Sequence, residues 1–257
     1  TNPPPAAATK YSALFLGELD SHLLMAYTTE VTNGVSTTYP QRVRWSAINF
    51  NPTTAGSTFG SNLGTAGGTF DPTVNINAGL NDFLDVTDII TGMLFLGRVG
   101  YVFRQQGITE LAPTGNGTAP FDFNHMWASE QGIGNVYPET ISQYGSYGMF
   151  VAANNVYQIT PSSVGPVGNG ARDAIMYDLA QAAGPPTAVI MPSYAVYRVY
   201  LTYKLFIPLQ NGNTRIYVYS FDDSNWASWT INDAVIGKPV GCWIGDSQIA
   251  TSTPSLR

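Results

Sequence analysis

The side chains able to do chemistry are few and widely scattered. His22 and His125 are the only histidines, and Cys242 is the only cysteine. Together they supply three soft or borderline ligands, but their separations match no compact zinc spacing. A Cys–His nucleophilic pair has no local support either. Asp82, Asp85 and Asp88 recur every third residue in Asn81-Asp-Phe-Leu-Asp-Val-Thr-Asp. Oxygen ligands so clustered in a loop can hold calcium, yet the alternating Asp/Asn and closing Glu of an EF-hand loop are missing. The competing reading is turn capping through side-chain-to-backbone bonds, and the sequence leaves both open. Gly145-Ser146-Tyr147-Gly148 lacks the spacing of a nucleophile elbow. No P-loop and no strand-then-G-x-G-x-x-G unit occurs. Opposed carboxylates for glycoside hydrolysis always arise by chance among 17 acids, so pairs alone point nowhere. Cofactors and metals are therefore not expected. Trp127, Trp226, Trp229 and Trp243 are candidate glycan or interface contacts, because an indole face stacks on a sugar ring or packs between sheets.

Positioning such residues falls to short apolar runs. Ala13–Leu16 and residues 23–27 flank a polar hexad, and Asn33-Gly34 is a strong hairpin signal since both residues tolerate positive φ. Residues 42–46 alternate polar and apolar with the period of a half-buried strand. Two strands around a glycine turn are expected over 92–104, another pair over 147–159, and a longer pair over 197–203 and 214–221. Leu94, Met149 and Tyr200 recur at intervals near 50 residues, the spacing of propeller blades of about four strands. One segment departs from this. From Arg172 to Ala183, apolar residues at 175, 176, 179, 182 and 183 form a helical stripe stopped by Gly184 and Pro185-Pro186. Asn116-Gly117-Thr118 is a formal glycosylation sequon that reads as a turn. Asp222-Asp223-Ser224-Asn225 before Trp226 is similar to the aspartate box of sialidase propellers. Ser224 stands at the glycine position and the tryptophan falls one residue early, so a structural turn is the reading.

Composition narrows the class further. Of 257 residues only 11% are charged, against about a quarter usually. Hydrophobic residues at 44% with net charge −6 fit neither disorder nor a helical bundle. An acidic chain without a basic run lacks the footprint for gripping phosphates. One cysteine forms no internal disulfide. Thr1–Ala8 lacks the basic-then-apolar pattern of a signal peptide, and no apolar run approaches the ~18–20 residues of a membrane-spanning helix, so no membrane span and a soluble β protein are expected. The expected organisation is an extended N-terminal arm over 1–10, a single all-β, propeller-like domain of four to five blades over 11–250, and a tail over 251–257. Long loops are expected near 51–70 and 160–171, with one short helix.

Three segments carry a family likeness. Residues 83–103 combine an acidic turn, an Ile90-Thr91-Gly92 strand entry and a hairpin ending in Tyr101-Val102-Phe103. Gln131-Gly132-Ile133-Gly134 with Pro138, then 147–152 and 155–159, is similar to the blade that follows. Ile216–Phe221 through Trp226 and Trp229 looks like a closing blade. Over about residues 80–231 this order resembles the β-propeller virion proteins of tailed bacteriophages, in particular tail nozzle, hub and adaptor subunits. The resemblance implies a non-enzymatic structural subunit of the virion. It would assemble with copies of itself and neighbouring tail proteins into a ring or tube through which DNA passes without tight binding. Such proteins are often longer, so the chain is a small member or a portion of a larger one. A glycan- or receptor-binding module and a propeller-type glycoside hydrolase are the alternatives. The acidic balance suits a DNA conduit, since it repels phosphates, and few charges suit a subunit buried in an assembly.

Overall fold

The computed structural model describes residues 10–47, 70, 77–84, 88–126, 131–161, 163–195 and 198–232. These residues form four four-stranded antiparallel sheets and one α-helix. The chain divides into two compact units, Thr1–Pro138 with Thr160–Ser162, and Glu139–Ile159 with Ser163–Arg257.

The first unit opens with β1 (Lys10–Leu19), β2 (His22–Thr32), β3 (Val35–Trp45) and β4 (Gly79–Asp82), paired in chain order. Two-residue turns set the registers. Asp20 and Ser21 both have positive φ (49° and 65°), as do Asn33 and Gly34 (52° and 80°), the backbone that matches the right-handed twist of flanking strands. Asn-Gly advertised the second turn; nothing in Asp-Ser advertised the first. Tyr27, at φ 54°, sits where the β2–β3 register shifts, so a bulge bends the sheet there. A second meander follows: β5 (Ile90–Leu96), β6 (Val99–Arg104), β7 (Ile108–Asn116) and β8 (Ala119–His125). The core of this unit joins the two sheets. Leu24, Ala26 and Val43, all fully buried, cluster with Trp45, Ile90, Val102, Leu111 and Phe121. Gly17 allows the close approach of β1, because a Cβ there would lie 2.1 Å from the Phe95 ring.

The second unit holds β9 (Ser142–Tyr144), β10 (Tyr147–Val151), β11 (Val156–Thr160) and β12 (Ser163–Pro166), then α1 (Arg172–Ala180), then β13 (Thr187–Ala195), β14 (Arg198–Pro208), β15 (Asn213–Ser220) and β16 (Asn225–Asn232). Each sheet is again a meander of consecutive strands. Helix α1 buries Ile175, Leu179 and Asp178. It ends three residues short of the expected Ala183. Ala182 bridges to Leu209, and the Ala183 amide donates to the Pro208 carbonyl at 2.7 Å, so extended pairing replaces the last helical turn.

The expected hairpins over 92–104, 147–159 and 197–221 are present. The expected loop over 160–171 is corrected: it contains β12, and the Val167 amide then bonds the Val156 carbonyl at 2.9 Å. The expected equivalence of Leu94, Met149 and Tyr200 shifts as well. Leu94 lies on the first strand of its sheet, whereas Met149 and Tyr200 lie on second strands. The expected N-terminal arm also yields its last residue to a strand, since β1 begins at Lys10. Residues 1–9, 51–69 and 251–257 lie outside the described residues.

Candidate interaction surface and its polar neighbours

Strand β1 alternates strictly, exposing residues 10, 12, 14, 16 and 18. Leu14 and Leu16 are 67% and 53% exposed at the centre of that face, with charge only at its ends, Lys10 and Glu18. β1 is the first strand of its sheet, and among the described residues no strand pairs with its outer edge. At the far edge of the last sheet, β16 is exposed along most of its length, and Trp229 is 46% exposed. Exposed edges usually carry a central Lys, a Pro or an inward-pointing charge to block pairing with another chain. Neither the middle of β1 nor β16 carries one.

The two described candidate tryptophans, Trp226 and Trp229, do not form one platform. Trp226 and Trp229 are three residues apart on β16 and so project to opposite faces. Trp226 is half-buried. Its Nε1–H donates to the Val167 carbonyl at 2.7 Å, and its ring lies 5.2 Å from Tyr219 and 6.5 Å from Tyr203. It locks the β15–β16 turn onto the chain after β12. Trp229 stands opposite Ile216 and keeps its face toward solvent. Trp127 and Trp243 lie outside the described residues, as do Cys242 and Asp85.

His22 is buried, its ring edge-on to Phe121 at 5.3 Å and its Nδ1 bonded to the Ser46 carbonyl. His125 is exposed at the end of β8, opposite Thr109. Asp82 and Asp88 hold different arginines. Arg42 grips Asp82 with two bonds of 2.7 Å, while Arg104 approaches Asp88 at 3.5 Å and the Gln106 amide donates to Asp88 at 2.9 Å. Among the described residues no group of three His, Cys, Asp or Glu is placed to hold a metal ion. The Asp222–Asn225 stretch is a turn, with Ser224 at φ 53° and Ser220 Oγ donating to Asp223 at 3.2 Å. At the sequon, the Asn116 side chain accepts from the Thr118 amide, the bond of an Asx turn.

Two charge clusters carry no sequence motif. Glu30 accepts from both Arg42 and Arg44 at 2.9 Å, and Arg44 also donates to the Phe70 carbonyl at 2.8 Å. Arg42 stacks on Tyr39 at 3.6 Å and Arg44 on Tyr11 at 4.5 Å. Two guanidiniums and two carboxylates balance, which is the condition for burying them. Hydrogen bonding to Asp82 drives the Arg42 guanidinium still further above its already high range. The only signal was Arg42-Val-Arg44, two cations at strand period. In the second unit, Asp178 accepts from Tyr217 Oη at 2.7 Å and from Arg215 at 3.1 Å, tying α1 to β15. Burial, then the bond to Asp178, pushes the Tyr217 phenol above its ordinary range.

No protein-family model matches this sequence, and no curated protein matches it.

Proposed function

We propose that this chain is a structural subunit that assembles with copies of itself, and that its setting is the tail of a bacteriophage virion. The observation that carries the reading is the pair of edges that no described strand covers, β1 with Leu14 and Leu16, and β16 with Trp229. One chain that presents two different open edges can meet the next copy head to tail, and a heterologous contact of that kind closes into a ring or extends into a tube. Four consecutive four-stranded meanders support the blade reading, in which each sheet is one propeller blade. The phage setting rests on the sequence resemblance over residues 80–231. Low charge content suits buried subunit sides, and the net charge of −6 suits a wall past which DNA slides.

The chain acts in this reading without catalysis. Asp82, Asp88 and Asp178 are held by arginines, which favours scaffolding over proton transfer for each. Trp226 is committed to internal packing, which weighs against a glycan platform on β16. Electron microscopy of the purified full chain tests the proposal: rings or short tubes are expected, and isolated single subunits at every concentration overturn it.

A further inference from the structure

The edges of β4 and β8 and the residues after β4 border an open cleft of about 360 Å³ within the first unit. Its walls combine ring faces with polar groups. Phe83 and Phe123 meet edge to face at 5.8 Å, while Asn81, Asp82 and His125 bring an amide, a carboxylate and an imidazole to the same space. The deepest lining residue is Thr109, wholly buried, whose hydroxyl finds no hydrogen-bond partner among the described residues. That hydroxyl is closed off from solvent, so the donors and acceptors a ligand can meet are those of Asn81, Asp82 and His125.

The charge balance selects the ligand class. Both Asp82 oxygens already accept from Arg42, so the carboxylate is neutralised and a cation gains little there. Each oxygen still has a lone pair for a hydroxyl donor. An anion would meet that carboxylate, and Arg42 already donates to Asp82 and Glu30. A purely apolar ligand would strip water from the amide and carboxylate without replacing it. A small neutral polyol suits the accessible polar groups and the phenyl faces together. Its hydroxyls donate to Asp82 and exchange bonds with Asn81 and His125, and its C–H face lies on a phenyl ring. The volume falls near the lower end of the range for small-molecule pockets, room for one sugar ring.

We infer that the cleft lined by Asn81, Asp82, Thr109, Phe123 and His125 binds a neutral monosaccharide. This stands independently of the assembly proposal and uses none of the tryptophans. The test is saturation-transfer NMR on the full chain with glucose, galactose, mannose and N-acetylglucosamine, with calcium chloride and inorganic phosphate titrated separately. At least one sugar binds in the millimolar range. Asn81→Ala and His125→Ala each weaken it tenfold or more, while Trp229→Phe leaves it unchanged. Both replaced side chains lie at the cleft rather than in the core, and an unchanged thermal melt confirms that the fold is intact. The inference is overturned if no sugar binds, if binding persists undiminished in both variants, or if calcium or phosphate binds there instead.

Discussion

Replacing Trp226 by Phe separates packing from recognition on β16. The substitution deletes the indole N–H that donates to the Val167 carbonyl at 2.7 Å and trims the ring that sits against Tyr219 and Tyr203. A hydrogen bond of this kind contributes about 0.5–1.5 kcal/mol net, and an aromatic pair about as much again beyond its buried area. Phe keeps part of the ring contact, so the expected loss is about 1.5–2.5 kcal/mol. Trp229→Phe is the control. That side chain is 46% exposed and has no hydrogen-bond or ring partner among the described residues, so its replacement stays within about 0.5 kcal/mol of the parent. Urea unfolding followed by far-ultraviolet circular dichroism reads both, free of the change in tryptophan fluorescence. Equal effects at the two positions, or a loss below about 0.5 kcal/mol at Trp226, would refute its role as a lock between β16 and the chain after β12.

Three further outcomes follow from the geometry. The Tyr101 hydroxyl is buried without a partner among the described residues, and burial pushes its phenol up to about 12. Its folded pKa exceeds the unfolded value of about 10, so its contribution is complete below pH 10 and is lost as pH rises toward 12. Tyr101→Phe raises stability by about 1 kcal/mol at neutral pH and flattens that alkaline decline in a series of urea midpoints. Gly134→Ala places a Cβ 2.2 Å from the Arg104 carbonyl and 2.5 Å from the Gly107 amide, backbone atoms that cannot swing away. It costs about 3 kcal/mol or more in the same assay. Asp178→Ala leaves Arg215 and Tyr217 without their shared acceptor and costs about 2–3 kcal/mol. Hydrogen exchange then shows the loss of protection concentrated in α1.

Much of the β architecture was legible because its signals are local. Asn33-Gly34 dictates a two-residue turn, the alternation over 42–46 dictates a strand, and the stripe from Ile175 to Leu179 dictates a helix. What escaped depends on partners far apart in the chain. Asp20-Ser21 adopts the same positive-φ turn as Asn-Gly, but only the pairing of Leu19 with His22 imposes it. β12 has no apolar period and exists because β11 offers it an edge. The end of α1 is set by Pro208 and Leu209, some 27 residues downstream of Ala182. The candidate residues divide in the same way. Tryptophans draw attention by type, yet one of the two described is structural. The Glu30–Arg42–Asp82 cluster gathers residues up to 52 positions apart, and the cleft beside it residues up to 44 apart. Strand pairing brings them together, and no spacing rule announces that.

Assembly through the open edges is the central claim, and the mass of the full chain in solution tests it most directly. Light scattering coupled to size exclusion, run over a concentration series, is expected to give a multiple of the subunit mass. In Leu14→Lys/Leu16→Lys and in Trp229→Lys that mass falls to one subunit while the circular dichroism spectrum is retained, since all three side chains are exposed. A parent chain that stays at one subunit throughout, or an oligomer indifferent to both variants, would contradict the account.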